Sequence, residues 1–367
     1  MIPNSIFNVD KKDYEVTPLF LGDSPGLLDS VNKQYPKIWK LYKDMKLLDW
    51  DENEFDYSTC MAEFQTATRD EYEIMIMTLA WQWEADSVAS HSIAPIVAPF
   101  VSSSELWAAW LRISDNETIH ALTYSEIVRG SFSNPKEVMD SVLGEVAAFK
   151  RLSVVAEVMG ETKKVAAMLM DRRMERDDPR ARDAIMLFTI ALLLLERVQF
   201  MSSFAITFTF GQMGRFMPIV KAVQKICNEE FNIHAQLDKE ILRIEMATEL
   251  GRASFERIKP RVLAMIKEVT QNELDWTNNR LFAEGRQLAG SNAKSICDWV
   301  IFGANDVYDT LGLVNTDFPI IRKNPLKYLE DWIDINKNQP SPQEEKPGNY
   351  LLGGFVNNTE GKVYDVD

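Results

Sequence analysis

Cations are the scarcer charge in this 367-residue chain: 40 Lys and Arg stand against 55 Asp and Glu, a net charge of −15. So acidic a surface excludes duplex or single-stranded nucleic acid as a partner, because binding it needs cationic surface. Cysteine is scarce too. Cys60, Cys227 and Cys297 show no paired spacing, which reads as a reducing compartment with each thiol buried. The first residues lack a basic, then apolar, then small-residue signal, so a cytoplasmic location is expected. There is no Gly-rich phosphate-cradling loop, no repeat of solenoid period, and few stretches that alternate as strands. Residues 185–210 are apolar and long enough to span a bilayer. Glu196, Arg197 and Gln199 in the middle of that run argue against a membrane and for the central helix of a large soluble bundle.

What is present is helical periodicity and, at 46% hydrophobic residues, ample material for a core. Residues 1–31 form a turn-rich arm containing Pro18-Leu-Phe-Leu-Gly22 and Ser24-Pro25-Gly26. Helices are expected at 32–48 and at 68–94, the latter opened by Arg69, Asp70 and Glu71 and closed by Pro95 and Pro99. More follow at 104–129, 135–158, 161–176, 185–210, 216–247, 253–284, 293–304 and 324–333. The chain from Asn336 is rich in Pro, Asn, Gln, Glu and Gly and reads as a flexible tail. The expected organisation is an arm (1–31), one all-α domain (32–335) and a tail (336–367).

Histidine is the informative scarcity. There are three, His91, His120 and His234, and two of them follow a glutamate by three or four positions. In Glu117-Thr-Ile-His120-Ala-Leu-Thr-Tyr124 all three polar groups share one helical face, with Tyr124 roughly 6 Å along the axis from His120. A carboxylate and an imidazole one turn apart can bind a metal ion. Alone, so short a motif is more often an ordinary buried face. Asp86, Glu196, and the pair Glu230 and His234 are likewise stranded in apolar helices. Each has a plain alternative: a cap or local pair for Asp86, a pair with Arg197 for Glu196, a solvated face for Glu230. Together, four carboxylates and two imidazoles from four helices make a full ligand set for two metal ions, because a charged carboxylate in a dry core costs several kcal/mol unless paired or metal-bound. That set is expected of a ferritin-like helical bundle with a di-iron or di-manganese centre. His91 has no spaced carboxylate and is read as a bystander.

With these residues in hand, the sequence resembles the small (β) subunit of class I ribonucleotide reductase from Pro18 to about Gly353. Asp86-Ser-Val, Glu105-Leu, Glu117-Thr-Ile-His120, Tyr124 and Leu195-Glu196 carry the likeness, with Asn324-Pro, Pro342-Gln-Glu and Tyr350-Leu-Leu-Gly353 at the C-terminal end. The resemblance implies Asp86, Glu117 and His120 on one metal, and Glu196, Glu230 and His234 on the other. It implies a stable radical on Tyr124, kept dry by Phe200 and Phe204. It also implies radical transfer through Trp50, Glu229 and the tail residue Tyr350 to a large subunit, where the nucleotide is reduced. The last residues, Tyr364 among them, would anchor that partner. The implied cofactor is two iron ions, with manganese open, and the implied assembly is a homodimer. One departure stands out. The family pairs its second Glu and His as Glu-x-x-His preceded by Asp, whereas Asn228-Glu-Glu-Phe-Asn-Ile-His234 carries one extra residue. A spacing of four keeps Glu230 within about 40° of His234, while Glu229 lies about 140° away in a straight helix. A π-turn can also absorb the insertion. Glu230 is therefore taken as the ligand and Glu229 as the hydrogen-bond acceptor. The rival readings are a related di-metal oxidase or hydroxylase acting on a small molecule, which needs neither Trp50 nor a tail tyrosine, and a metal-storage bundle.

Overall fold

The computed structural model describes residues 17–23, 28, 30–143 and 146–335, and among these the chain is helical apart from turns and two isolated β-bridges. The elements are α1 (Pro36–Leu47), α2 (Ser58–Thr66), α3 (Arg69–Val97), α4 (Ser104–Ser131), α5 (Pro135–Leu143), α6 (Val146–Met170), α7 (Pro179–Leu194), α8 (Phe200–Gln212), α9 (Met217–Glu229), α10 (Ala235–Ala247), α11 (Glu249–Trp276), α12 (Ala293–Thr310) and α13 (Leu329–Trp332). Wide π-turns at Leu195–Gln199 and Glu230–His234 join α7 to α8 and α9 to α10, and a third follows α11 at Thr277–Leu281.

Local chemistry sets several boundaries. Thr68 opens α3 with a reciprocal capping box to Glu71, and Asp70 and Glu71 lie in its positively polarised first turn. Ser103 caps α4, Asp178 caps α7 ahead of Pro179, and Thr248 caps α11. Pro95 does not close α3, which runs two residues past it. Proline costs a helix one backbone donor, and so close to the end little of the bond ladder remains to be broken. Ala94 N–H meanwhile finds Ser114 Oγ on α4 at 3.1 Å. The breaks expected around 159–160 and at 176 are also displaced: α5 ends at Leu143, and α6 runs through Gly160 to Met170. The last helix is a single turn, Leu329–Trp332, where residues 324–333 were expected, and α2 carries no strong periodic signal.

The long apolar run is the centre of the fold. Every residue from Ile185 to Phe210 is buried, so the segment is a core helix within the described residues. The described part of the arm is fastened. Phe20 bridges Val101, and Gly22 N–H donates to Ser102 Oγ at 2.6 Å. At the other end, Trp332 stacks on Phe208 at 5.3 Å, and its carbonyl accepts from Gln224 and Asn228. Residues 336–367, and with them Tyr350 and Tyr364, lie outside the described residues. Cys60 and Cys227 are buried, but Cys297 is only half-buried beside Asn278.

Away from the candidate ligands the core of the described residues holds a fully enclosed ion pair, Arg151 with Glu273. Arg151 donates to both carboxylate oxygens of Glu273 at 2.8 and 2.7 Å, and its guanidinium lies between Trp81 and Trp276, 3.9 and 3.7 Å from their ring centres. Ser202 adds a hydrogen bond to Glu273. Removing one member strands a buried charge. Glu273→Gln should therefore lower stability by about 3–5 kcal/mol in equilibrium denaturation, and Arg151→Met with Glu273→Leu should recover much of that loss.

Candidate metal centre

Four helical segments deliver the site. α3 contributes Asp86, and α4 contributes Glu117 and His120 one turn apart. The turn between α7 and α8 contributes Glu196, and the turn between α9 and α10 contributes Glu230 and His234. The insertion before His234 is thus accommodated by a wide turn spanning the two residues, which keeps them 2.8 Å apart, Glu230 Oε2 to His234 Nδ1. A second wide turn beneath Glu196 had no signal in the sequence.

The six side chains are brought together in two overlapping groups. Asp86, Glu117 and His120 form one, and Glu117, Glu196, Glu230 and His234 the other, with ligand atoms in each within 4.8 Å of one another. Glu117 belongs to both. Its Oε2 lies 3.7 Å from His120 Nδ1 and its Oε1 lies 3.5 Å from His234 Nδ1, a bridging placement not read from the sequence. Glu230 likewise reaches His120 Nδ1 through Oε1 at 2.8 Å. Both imidazoles thus present Nδ1 to the interior, with their rings 6.0 Å apart.

All six are essentially sealed from solvent. Both oxygens of Asp86, both of Glu117 and one of Glu196 have no hydrogen-bond partner. Orphaned acceptors at this density are costly unless a cation completes them. The plain alternatives are not what the structure contains: Glu230 is not solvated, and Arg197 pairs with Asp306 rather than with Glu196. Electrostatics follow the enclosure. Burial, then the Glu117 charge, holds the Asp86 carboxyl well above its usual range, and burial, then Glu230, does so for Glu196. Burial opposes ionisation of Glu230 as well, but His234 and hydrogen bonds from Glu196 and His120 outweigh it and hold that group well below. Burial also opposes charge on the imidazoles, yet the surrounding carboxylates push His234 up to about 10 and His120 well above normal. Oxygen and imidazole-nitrogen donors in this ratio fit iron or manganese.

The far edge of His120 leads outward. Its Nε2 lies 2.7 Å from Glu229 Oε2, and the same oxygen accepts Trp50 Nε1–H at 3.0 Å. Tyr124 is completely buried and its hydroxyl has no partner. Burial, then the charges of Asp86, Glu230 and Glu117, raises its pKa well above 10. Phe200 and Phe204 are buried and stacked at 5.5 Å. His91 lies outside both groups: it is exposed, with Nδ1 2.8 Å from Ser87 O. Sequence reasoning passed over Asp238, buried one turn beyond His234, and Asn116, whose amide lies 3.5 Å from His234 Nε2. Their only signal was adjacency to predicted ligands. Glu105, noted above for its spacing, caps the entry to α1 by accepting from Gln34 and Tyr35 N–H.

Comparison with known proteins gives a consistent result. The family model "Ribonucleotide reductase, small chain" matches residues 29–325. The ribonucleoside-diphosphate reductase subunit beta of Buchnera aphidicola subsp. Schizaphis graminum is 24% identical, over 98% of this chain and 99% of its own. The ribonucleotide reductase R2 subunit from Clostridium botulinum superposes with a TM-score of 0.77 at 18% identity, covering 91% of this chain and 99% of that one. The dimanganese(II)-NrdF of Streptococcus sanguinis gives 0.66 at 14% identity, covering 84% and 99%.

The protonation pattern has a direct consequence for metal loading. The high pKa of His234 and His120 means that at pH 7 the metal-free site carries protons that a cation must expel. Proton release should appear as a buffer-dependent heat in calorimetric titration with Mn(II), and apparent affinity should rise with pH between 6.5 and 8.5. The sign for the metal-free fold is opposite. His234 is raised from 6.5 to about 10, so its contribution to stability is complete below pH 6.5 and is lost as pH rises through 10.

Proposed function

The chain belongs to the ribonucleotide reductase small-chain family, and on that premise we propose that it generates and stores a tyrosyl radical at Tyr124 for transfer to the large subunit. At the coarser level it is a small subunit of ribonucleoside-diphosphate reductase, an oxidoreductase, with a di-metal carboxylate centre and a large-subunit partner. The proposal assigns Asp86, Glu117 and His120 to one metal and Glu196, Glu230 and His234 to the other, with Glu117 between them. Two bound iron ions supply the oxidising power together with dioxygen; manganese is the second reading, favoured by the likeness to a dimanganese protein.

The observation that carries the proposal is the line Trp50–Glu229–His120, three buried groups joined through one carboxylate oxygen. A di-metal oxidase acting on a small molecule, or a storage bundle, has no use for that line. In the proposed function, Tyr124 would give up an electron and its phenolic proton to the reduction of dioxygen, which takes up both on the way to water. The resulting radical persists because the group is sealed from solvent and from the reductants dissolved in it. Phe200 and Phe204 contribute side chains that are hard to oxidise and exclude water. Trp50 is the next carrier. Oxidising an indole leaves positive charge, and the Glu229 carboxylate 3.0 Å away stabilises it. From Trp50 the path runs to Tyr350 in the tail, within residues 336–367, which dock on the large subunit, while residues 32–335 form the helical domain behind the 1–31 arm. The reading includes a cytoplasmic homodimer, supported by Leu111 and Leu122, exposed eleven residues apart on one face of α4.

Aerobic iron loading followed by electron paramagnetic resonance tests the core of this. A tyrosyl signal is expected in the wild type and absent in Tyr124→Phe, with metal content unchanged; an unaltered signal in the variant would sink the assignment. Trp50→Phe, and separately deletion from Asn349 onward, should each keep the radical while reductase activity with added large subunit falls at least about 100-fold, the scale of a lost essential catalytic step.

A further inference from the structure

The outer side of the Leu195–Gln199 turn is covered by α12. Trp299, Gly303 and Asp306 lie on one face of that helix, at spacings of four and three. All three meet the turn or the residues just beyond it. Trp299 Nε1–H donates to the Met201 carbonyl at 3.1 Å. Asp306 Oδ2 accepts from Arg197 Nε at 2.8 Å and from Lys239 Nζ on α10 at 2.6 Å. Between these arms, a Cβ on Gly303 would lie 2.1 Å from the Arg197 carbonyl oxygen. That atom is backbone, in the residue directly after Glu196, and it cannot swing aside as a side-chain end can. Gly303 is helical and not at positive φ, so it is required for space rather than for conformation.

A wide turn needs this accommodation. Its i→i+5 bonding, with Phe200 N–H reaching Leu195 O, pushes backbone outward relative to a regular helix. Reverting to regular helix would rotate Glu196 by roughly a residue's angle, about 100°, against the residues that follow. We propose that α12 is a splint for this turn, with Gly303 and Asp306 as positioning residues that hold Glu196 against Glu230 and Glu117. Gly303 supplies the recess for the displaced carbonyl, and Asp306 draws the Arg197 side chain the same way, leaving Glu196 turned inward. The Arg197 guanidinium is steadied further by Phe231, 4.4 Å away in the other wide turn, so the recess fixes both turns relative to each other.

The inference rests on the metal assignment above, and the test separates the two. Metal-free full-length protein is titrated with Mn(II), with bound metal counted and electron paramagnetic resonance recorded. Wild type should take two ions per chain and give the signal of a spin-coupled pair; failure here refutes the metal assignment itself. In Gly303→Ala, the ion at Asp86, Glu117 and His120 should remain, with an isolated six-line signal. Affinity for the second ion should fall about 10- to 100-fold, as for other residues that orient metal ligands. Circular dichroism of the metal-free variant establishes that it is folded. Asp306→Asn adds no volume and should weaken the second ion in the same direction, and it carries the test should Gly303→Ala not fold. A folded variant that still binds a coupled pair at wild-type affinity would overturn the splint: α12 would simply have moved away, leaving Glu196 in place.

Discussion

The structure depends on a single constraint: four carboxylates and two imidazoles share one dry pocket. Ionised acids this close repel, and desolvation alone would make each neutral. The metal-free protein meets the constraint with internal protons. Asp86 and Glu196 are pushed toward the acid form, Glu230 is held ionised, and the imidazoles are held protonated. A pair of divalent cations would meet it better, by offering partners to the orphaned oxygens. The surroundings make the constraint binding. With Ile185 to Phe210 wholly enclosed, water cannot relieve the charges from the side of the central helix.

Geometry is the second half of that constraint. A regular helix presents side chains every 100°, and ligands from four helices rarely converge at that pitch alone. Both groups supplied by α7–α8 and α9–α10 sit on wide turns, where one extra residue re-aims a side chain. The cost is backbone pushed out of the regular ladder, which neighbouring elements must accept. Gly303 receives it at the first turn. At the second, Asn232 donates to the Ile333 carbonyl at 2.9 Å, so the segment leading to the tail is hydrogen-bonded into the turn that bears Glu230 and His234.

How much was legible follows from the same physics. The shared buried face of Glu117, His120 and Tyr124 was readable because one straight helix needs only its pitch. Asp86 and Glu196 were readable because acids in apolar helices are anomalous. The extra residue before His234 was readable because the family resemblance supplies a Glu-x-x-His spacing against which Asn228-Glu-Glu-Phe-Asn-Ile-His234 is one residue longer. The turn beneath Glu196 was not: residues 185–210 are buried on every face, so a one-residue shift leaves no trace in the hydrophobic pattern. The shared position of Glu117 was hidden too, since it is set by how α4 packs against three other segments. Pro95 misled because it reports local backbone preference, and so near the helix end that preference has little of the bond ladder to break.

In the proposed function the site must also isolate and connect at once, and its two ends would divide that work. Tyr124 is fully buried and its hydroxyl has no hydrogen-bond partner. Trp50 has the opposite surroundings. Glu229 is hydrogen-bonded to its indole nitrogen at 3.0 Å, while the Lys225 ammonium stands 5.7 Å from its ring and is paired with Glu54. Coulomb energy falls with distance, so the carboxylate dominates over a more distant and already compensated cation. The balance lowers the cost of positive charge on the indole, which the shared Glu229 oxygen ties to His120. Because Glu229 and Glu230 are consecutive, the wide turn that follows Glu229 decides this as well. It lets one glutamate face the ligand cluster while its neighbour faces Trp50, and a single residue more or fewer would merge the two roles or lose one.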